Sequence, residues 1–139
     1  MNLLDQLRRD EGMVAHAYQD TLGFWTIGVG RLIDARRGGG LRPDEVDYLL
    51  TNDIAAKTHE VLTALPWVAR LSPPRQAVLI GMAFQLGTRG LLKFPRMLGS
   101  VEDGQYAEAA IEMLDSLWAK QTPERAARLA KQMETDLWH

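Results

Sequence analysis

The chain has 139 residues, of which 46% are hydrophobic and 24% are charged, the balance of an ordinary globular protein. It contains no cysteine, which excludes disulfides and thiol chemistry, and its net charge of −2 gives no general case for binding nucleic acid. No apolar run approaches the roughly 18 residues of a membrane span, so we expect no membrane insertion. The N-terminus lacks a basic start followed by an apolar stretch, so we expect no secretory signal. The length suits one domain, residues 1–139.

The first predicted element is a helix over Leu3–Glu11. Asn2 is a good N-cap, and Gly12 permits the backbone conformation that ends a helix. Residues 14–18 and 24–29 are rich in strand-forming residues, with turn-forming residues between them. This pattern predicts a small antiparallel hairpin.

One long helix is predicted next, from about residue 44 to residue 65. Pro43 suits the start of a helix, and Pro66 ends it. The apolar residues of this segment recur at helical spacing: Val46, Leu49, Leu50, Ile54, Val61, Leu62 and Leu65.

The remaining segment, 66–139, is predicted to be helical. A mostly apolar helix over residues 75–86, which ends at Gly87, is expected to form its buried centre, and a short turn is expected at 94–98. A helix over 105–118 and a last helix that begins at Pro123 complete the prediction. The residues expected on the inner face of the 105–118 helix are Ala109, Ala110, Met113, Leu114 and Leu117.

These elements predict an α+β protein that is mostly helical. A small antiparallel sheet forms an N-terminal lobe over residues 13–43, and a connecting helix over 44–65 leads to a helical C-terminal lobe over 66–139. The first helix, within 1–12, is expected to pack on the C-terminal lobe.

Three residues near the N-terminus are candidates for catalysis. Glu11 ends the first helix, Asp20 lies at the hairpin turn, and Thr26 follows on the next strand. Two carboxyl groups in unlike environments and a hydroxyl that orients water are the minimum required to cleave a glycosidic bond. Each residue alone is readily explained as a surface, turn or strand residue, so the prediction depends on their combination.

Three blocks of sequence, in order, carry a resemblance that covers nearly the whole chain. The blocks are Leu7 to Leu32, residues 82–87 (MAFQLG) and residues 118–126 (WAKQTPERA). They resemble the bacteriophage-type lysozymes, the endolysins of glycoside hydrolase family 24, and the resemblance implies a lysozyme-like fold.

The resemblance also implies an activity and roles for the three candidates. Members of the family hydrolyse the β-1,4 bond between N-acetylmuramic acid and N-acetylglucosamine in peptidoglycan. Glu11 falls on the general acid, while Asp20 and Thr26 fall on the residues that hold the attacking water. Inversion at the anomeric carbon is implied, and desolvation of Glu11 is expected to keep it protonated.

Positions that line the saccharide groove of the family transfer less completely. Gly30, Leu32 and Phe84 match groove positions, and Gln85 lies next to one. Glu112 stands where the family has a groove asparagine, and Leu117 stands where it has a groove arginine. For the four tryptophans we expect packing in the core rather than stacking on sugars: Trp25, Trp67, Trp118 and Trp138.

Comparison with the family further predicts three structural ion pairs. One replaces a histidine–aspartate pair of the family, and two join the first and last helices. The predicted pairs are Arg31–Asp53, Asp10–Arg128 and Glu11–Arg125.

The expected partner is a peptidoglycan strand, bound by a monomer without metal or cofactor. The three histidines are scattered and show no metal-ligand spacing. A host-cytoplasmic protein released to the cell wall by a holin is expected, with lysis of the host as the result. Two alternatives stay open: a lytic transglycosylase, and a non-catalytic peptidoglycan-binding or baseplate module.

Overall fold

The computed structural model describes residues 2–139 and divides into two compact units. The first ends at Leu49, and the second is Leu50–His139, so that the boundary falls within the long helix. Over the described residues there are seven α-helices and one three-stranded antiparallel sheet, which confirms the predicted α+β class. None of the helices in this part of the chain is both long and apolar enough to cross a bilayer.

The first unit begins with helix α1, Leu3–Glu11, which has the predicted bounds. The Asn2 side chain accepts a hydrogen bond from the Asp5 N–H (3.0 Å), and the Asp5 carboxylate accepts one from the Asn2 N–H (3.3 Å). This reciprocal capping satisfies two backbone donors at the start of the helix. Gly12, at φ 78°, ends it in a conformation that glycine adopts without strain.

The sheet of the first unit contains strands β1 (Val14–Gln19), β2 (Trp25–Gly28) and β3 (Arg31–Leu32), in the order β1-β2-β3. The predicted hairpin is β1–β2, and β3 was not predicted because two residues are too few to show an alternating pattern. Thr26 lies on the central strand, where it is paired with Tyr18 on one side and Leu32 on the other.

Helix α2, Pro43–Ala64, confirms the predicted long helix, and a 3₁₀ turn at Pro66–Arg70 follows it. The Arg42 N–H donates to the Glu45 carboxylate (2.8 Å) at the start of the helix. Only part of the apolar pattern of α2 is buried, since Val61 is inaccessible while Val46, Leu49, Leu50 and Ile54 are exposed. Spacing therefore predicted the helix correctly but not how much of it is covered.

The second unit is built around α3, Pro73–Leu91. Its backbone leaves the helical conformation at Gly87 (φ 77°, ψ 159°), where the sequence predicted that the helix would end, and one further helical turn follows. The predicted buried centre is confirmed by the α3 residues that solvent does not reach: Val78, Leu79, Met82 and Ala83.

Residues 94–98 were predicted as a turn, and this was wrong: helix α4 runs over Pro95–Glu102. Proline is favoured at the first position of a helix, because its fixed φ suits the helix and its missing N–H would have had no partner. Met97, Leu98 and Val101 then bury one face of α4. Their helical spacing is the signal that could have identified it.

The single helix predicted over 105–118 is two helices, α5 (Tyr106–Leu114) and α6 (Leu117–Gln121). Ser116 separates them, since its hydroxyl accepts from the Ala119 N–H (3.1 Å) and donates to the Met113 carbonyl (2.7 Å). The last helix, α7, is Pro123–Thr135, with Thr122 at its N-cap.

This break changes which residues face the core. Ala109, Ala110 and Met113 are buried as predicted, but Leu114 is 51% exposed and Leu117 is 69% exposed, so their inward placement was wrong. Among the tryptophans, Trp118 is buried and Trp67 is half-buried. The core packing predicted for Trp25 and Trp138 was wrong, because both side chains are largely exposed.

Candidate active site

Glu11 lies at the C-terminal end of α1 with an exposed side chain. Its carboxylate lies against the β2–β3 turn, such that a Cβ placed on Gly30 would be 3.5 Å from the Glu11 Oε2. Gly30 also has a φ of +69°, a conformation in which a residue with a side chain would be strained. A side chain at this position would therefore strain the backbone, while its Cβ would touch the Glu11 carboxylate at an ordinary van der Waals distance.

Asp20 follows β1 and closes the turn to β2. Its Oδ1 accepts two backbone N–H groups, from Leu22 (2.9 Å) and from Phe24 (2.8 Å), and the Asp20 N–H donates to the Phe24 carbonyl (2.9 Å). Such bonds hold an aspartate in one orientation within a turn. Its second oxygen, Oδ2, makes no hydrogen bond with any of residues 2–139.

Thr26 is buried, at 5% exposure, in the central strand. Its hydroxyl donates to the carbonyl of Phe24 (2.9 Å). A hydroxyl carries one proton, so the Thr26 oxygen is left with lone pairs and can only accept from a further group.

The first unit places five of the predicted site residues in two local groups. In one group Glu11 lies beside Gly30; in the other Asp20 and Thr26 both bind the backbone of Phe24, and Leu32 is the neighbour of Thr26 on β3. The sequence did not single out Phe24, which contributes through its backbone. The only sequence feature that indicated this role was an aspartate in a turn, several residues before a strand.

Phe84 and Gln85 belong to α3 in the second unit. Phe84 is 44% exposed and borders an apolar pocket of about 400 Å³ together with Ile80 and Arg125. The Gln85 side-chain oxygen accepts from the Trp118 indole N–H (3.0 Å), so this oxygen is already engaged within the unit.

Glu112 and Leu117, the two replaced groove positions, line one pocket of about 630 Å³ in the second unit. Trp118 also borders this pocket. The Phe94 ring packs edge-on against the Trp118 ring, and the two ring centroids are 6.2 Å apart. Glu112 gives this pocket an acidic side chain, and Leu117 gives it an apolar one.

The ion pair predicted between Arg31 and Asp53 would join the two units and stays a prediction, while within the first unit Arg31 pairs with Glu45. Arg31 Nη1 contacts Glu45 Oε1 at 2.8 Å, and the Arg42 N–H donates to the same oxygen. The physical reason is that β3 and the first turn of α2 lie in one unit, so Glu45 reaches the guanidinium. The contact lowers the pKa of Glu45 from 4.5 to about 2, with the Arg31 hydrogen bond as the largest cause and the Arg42 N–H next.

This pair should give the protein a component of acid-sensitive stability. Because the folded-state pKa of Glu45 lies below its ordinary value, the pair contributes fully to the free energy of unfolding above about pH 4.5. This contribution is lost as the pH falls toward about 2. We expect the free energy of unfolding of Glu45→Gln to lie below that of wild type at pH 7, and the two curves to converge in acid. Urea titrations from pH 2 to 7 measure this, and Arg31→Met should show the same convergence. A constant difference across the range would contradict the assignment.

The two tethers predicted between the first and last helices involve residues of both units, and the contacts recorded for these residues are local. Asp10 pairs with its neighbour Arg9 (3.0 Å) within the first unit. Arg125 donates to the Gly81 carbonyl (3.4 Å) within the second. The Asp10–Arg128 and Glu11–Arg125 pairs stay predictions.

Within residues 2–139, no cluster of three or more histidine, aspartate or glutamate side chains has the arrangement of a metal site.

Comparisons with known proteins agree with the sequence blocks. The family model described as phage lysozyme matches residues 8–134. The chain is 31% identical to "Probable T4-type lysozyme 1" and 30% identical to "Probable T4-type lysozyme 2" of Dictyostelium discoideum, each over 96% of this chain and 94% of the relative. It is also 32% identical, over 93% of its length, to 27% of the "Pre-baseplate central spike protein Gp5" of Enterobacteria phage T4.

Proposed function

Because the chain belongs to the phage lysozyme family, and is thus a glycoside hydrolase of the muramidase class, we propose that Glu11, Asp20 and Thr26 carry out its reaction. The bond cleaved is the β-1,4 linkage between N-acetylmuramic acid and N-acetylglucosamine in peptidoglycan. The groove residues proposed to contact the strand are Gly30, Leu32, Phe84 and Gln85.

In the proposed step, Glu11 transfers its carboxyl proton to the leaving glycosidic oxygen as the bond from that oxygen to the anomeric carbon breaks. A water molecule held by Asp20 and Thr26 forms the new bond to the anomeric carbon and gives its proton to the Asp20 carboxylate. The charge of Asp20 also stabilises the positive charge that develops on the sugar ring. The product has the inverted configuration.

The observation that best supports this proposal is the shared attachment of Asp20 and Thr26 to Phe24. The Phe24 N–H and carbonyl hold the carboxylate and the hydroxyl at 2.8 and 2.9 Å. With the Thr26 proton directed to that carbonyl, the lone pairs of Thr26 and the free oxygen of Asp20 accept the two hydrogens of one water. The lone pair of that water is then available for attack.

The test is digestion of purified peptidoglycan, with the products identified by mass spectrometry and by proton NMR at early times. Hydrolysis with inversion predicts muramic acid at the new reducing end, formed first as the α-anomer. Asp20→Asn should abolish this product while its amide oxygen keeps the turn hydrogen bonds.

The alternatives give different products. A lytic transglycosylase forms 1,6-anhydro-muramic acid and needs no activated water, so Asp20→Asn would retain activity. A non-catalytic module would bind peptidoglycan and release no saccharide. The similarity to a segment of the phage T4 spike protein keeps a tail-associated setting as the second candidate for where this activity is used.

For the biological setting we propose a monomeric endolysin that stays in the host cytoplasm until a holin admits it to the cell wall. Expression in bacteria with and without a holin tests this. Lysis only in the presence of the holin is the expected result, and lysis without one would contradict the proposed dependence.

A further inference from the structure

The loop that follows β3 places a charged side chain on the ring of Phe24. The Arg36 guanidinium carbon lies 4.0 Å from the centroid of that ring, within the range of a cation–π contact. Arg36 is itself held by Asp34, through an ion pair of 3.0 Å and through a backbone N–H that donates to the same carboxylate at 3.0 Å. The guanidinium therefore has a defined place over the ring.

Phe24 is the residue whose backbone holds both groups assigned to the attacking water. Its N–H donates to Asp20 Oδ1, and its carbonyl accepts from the Thr26 hydroxyl and from the Asp20 N–H. Any rotation of the Phe24 peptide groups moves the carboxylate and the hydroxyl relative to each other. Small displacements of groups that position a reactant are costly to rate.

We propose that Arg36 is a positioning residue, which by stacking on the Phe24 ring keeps the Phe24 backbone in the orientation that Asp20 and Thr26 require. The inference rests on the proposed function, because it concerns the water held by those two residues. Arg36 is exposed to solvent over about half of its side chain (54%), and its contact with the ring lies within the first unit.

The test compares kcat and KM of Arg36→Ala, Arg36→Lys and Arg37→Ala on soluble peptidoglycan strands. A cation–π contact at an exposed site is worth enough to change a rate by roughly fivefold. We expect kcat of Arg36→Ala to fall by about that factor with KM unchanged, and Arg36→Lys to restore part of it. Arg37→Ala removes the same charge from the same loop and should leave both constants at the wild-type values.

A double-mutant cycle isolates the contact. In a Phe24→Leu background, which keeps the backbone but removes the ring, Arg36→Ala should have no further effect on kcat. A second readout is independent of activity: hydrogen exchange at the Phe24 amide, which is bonded to Asp20, should be faster in Arg36→Ala than in wild type.

The outcomes are separable. Equal losses in Arg36→Ala and Arg37→Ala, a loss that persists without the Phe24 ring, or unchanged kcat and amide exchange would each overturn the role of Arg36 while the wild type remains a hydrolase. A wild type that releases no saccharide would instead overturn the proposed function. The kinetic part of this inference would then fall with it, and the exchange measurement would still decide whether Arg36 orders the Phe24 backbone.

Discussion

Glu11→Gln should lower kcat on purified peptidoglycan by about a thousandfold, near the middle of the range for loss of a general acid. The amide keeps the shape of the side chain beside Gly30 but has no proton to transfer to the leaving oxygen. Because Glu11 is exposed at the end of α1, the free energy of unfolding should change little. Release of reducing ends measures activity, and urea unfolding verifies that the variant is folded.

The matched control is Asp10→Asn, which removes a carboxylate at the adjacent position. Asp10 pairs with Arg9 on the surface of α1, and exposed pairs contribute little. We expect its activity to stay within about twofold of wild type, since a surface ion pair of this kind is worth less than about 1 kcal/mol. Equal losses in both variants would mean that the charge of this helix end matters rather than the acid, and full activity in Glu11→Gln would remove Glu11 from the mechanism.

Met113→Ala should destabilise the protein by about 2–5 kcal/mol, the usual cost of truncating a fully buried methionine or leucine. Met113 is inaccessible to solvent in the core of the second unit, where it is part of one cluster with Val78, Met82 and Met133. The loss combines the apolar surface no longer buried with the cavity that the neighbours do not fill. Urea unfolding followed by circular dichroism measures it.

Leu114→Ala provides the comparison, because Leu114 is the next residue of α5 and is 51% exposed. Its truncation leaves no enclosed cavity, and alanine is the better helix former, so we expect a change below about 1 kcal/mol. A large loss in Leu114→Ala with a small one in Met113→Ala would mean that α5 is rotated about its axis relative to the described packing.

The sequence predicted helix ends well where the cause is local. Asn2 caps α1 through Asp5, three residues away, and Pro43 and Pro123 begin α2 and α7 as expected. Such hydrogen bonds and backbone preferences act within one turn of chain, so neighbouring residues are enough to predict them. Ser116 acts by the same short-range mechanism, and the uninterrupted apolar pattern around it concealed the break that it causes.

The candidate site was also identified from sequence, but by a motif rather than by geometry. Glu11, Asp20 and Thr26 stood out because their residue types and order match a known family. Their attachment through the Phe24 backbone and the guanidinium stacked on the Phe24 ring followed only from coordinates. A backbone group carries no residue-type signature, since every residue other than proline offers the same N–H and carbonyl.

By itself, then, the sequence determined the class of fold, the bounds of α1 and α2, the start of α7, and the family to which the chemistry belongs. Tertiary structure alone decided that Glu45 pairs with Arg31, that Leu114 faces solvent, and that the backbone of one residue, Phe24, binds both proposed water ligands. The difference is one of range. Capping and turn preferences depend on residues a few positions apart, whereas burial and pairing depend on which segments meet after folding.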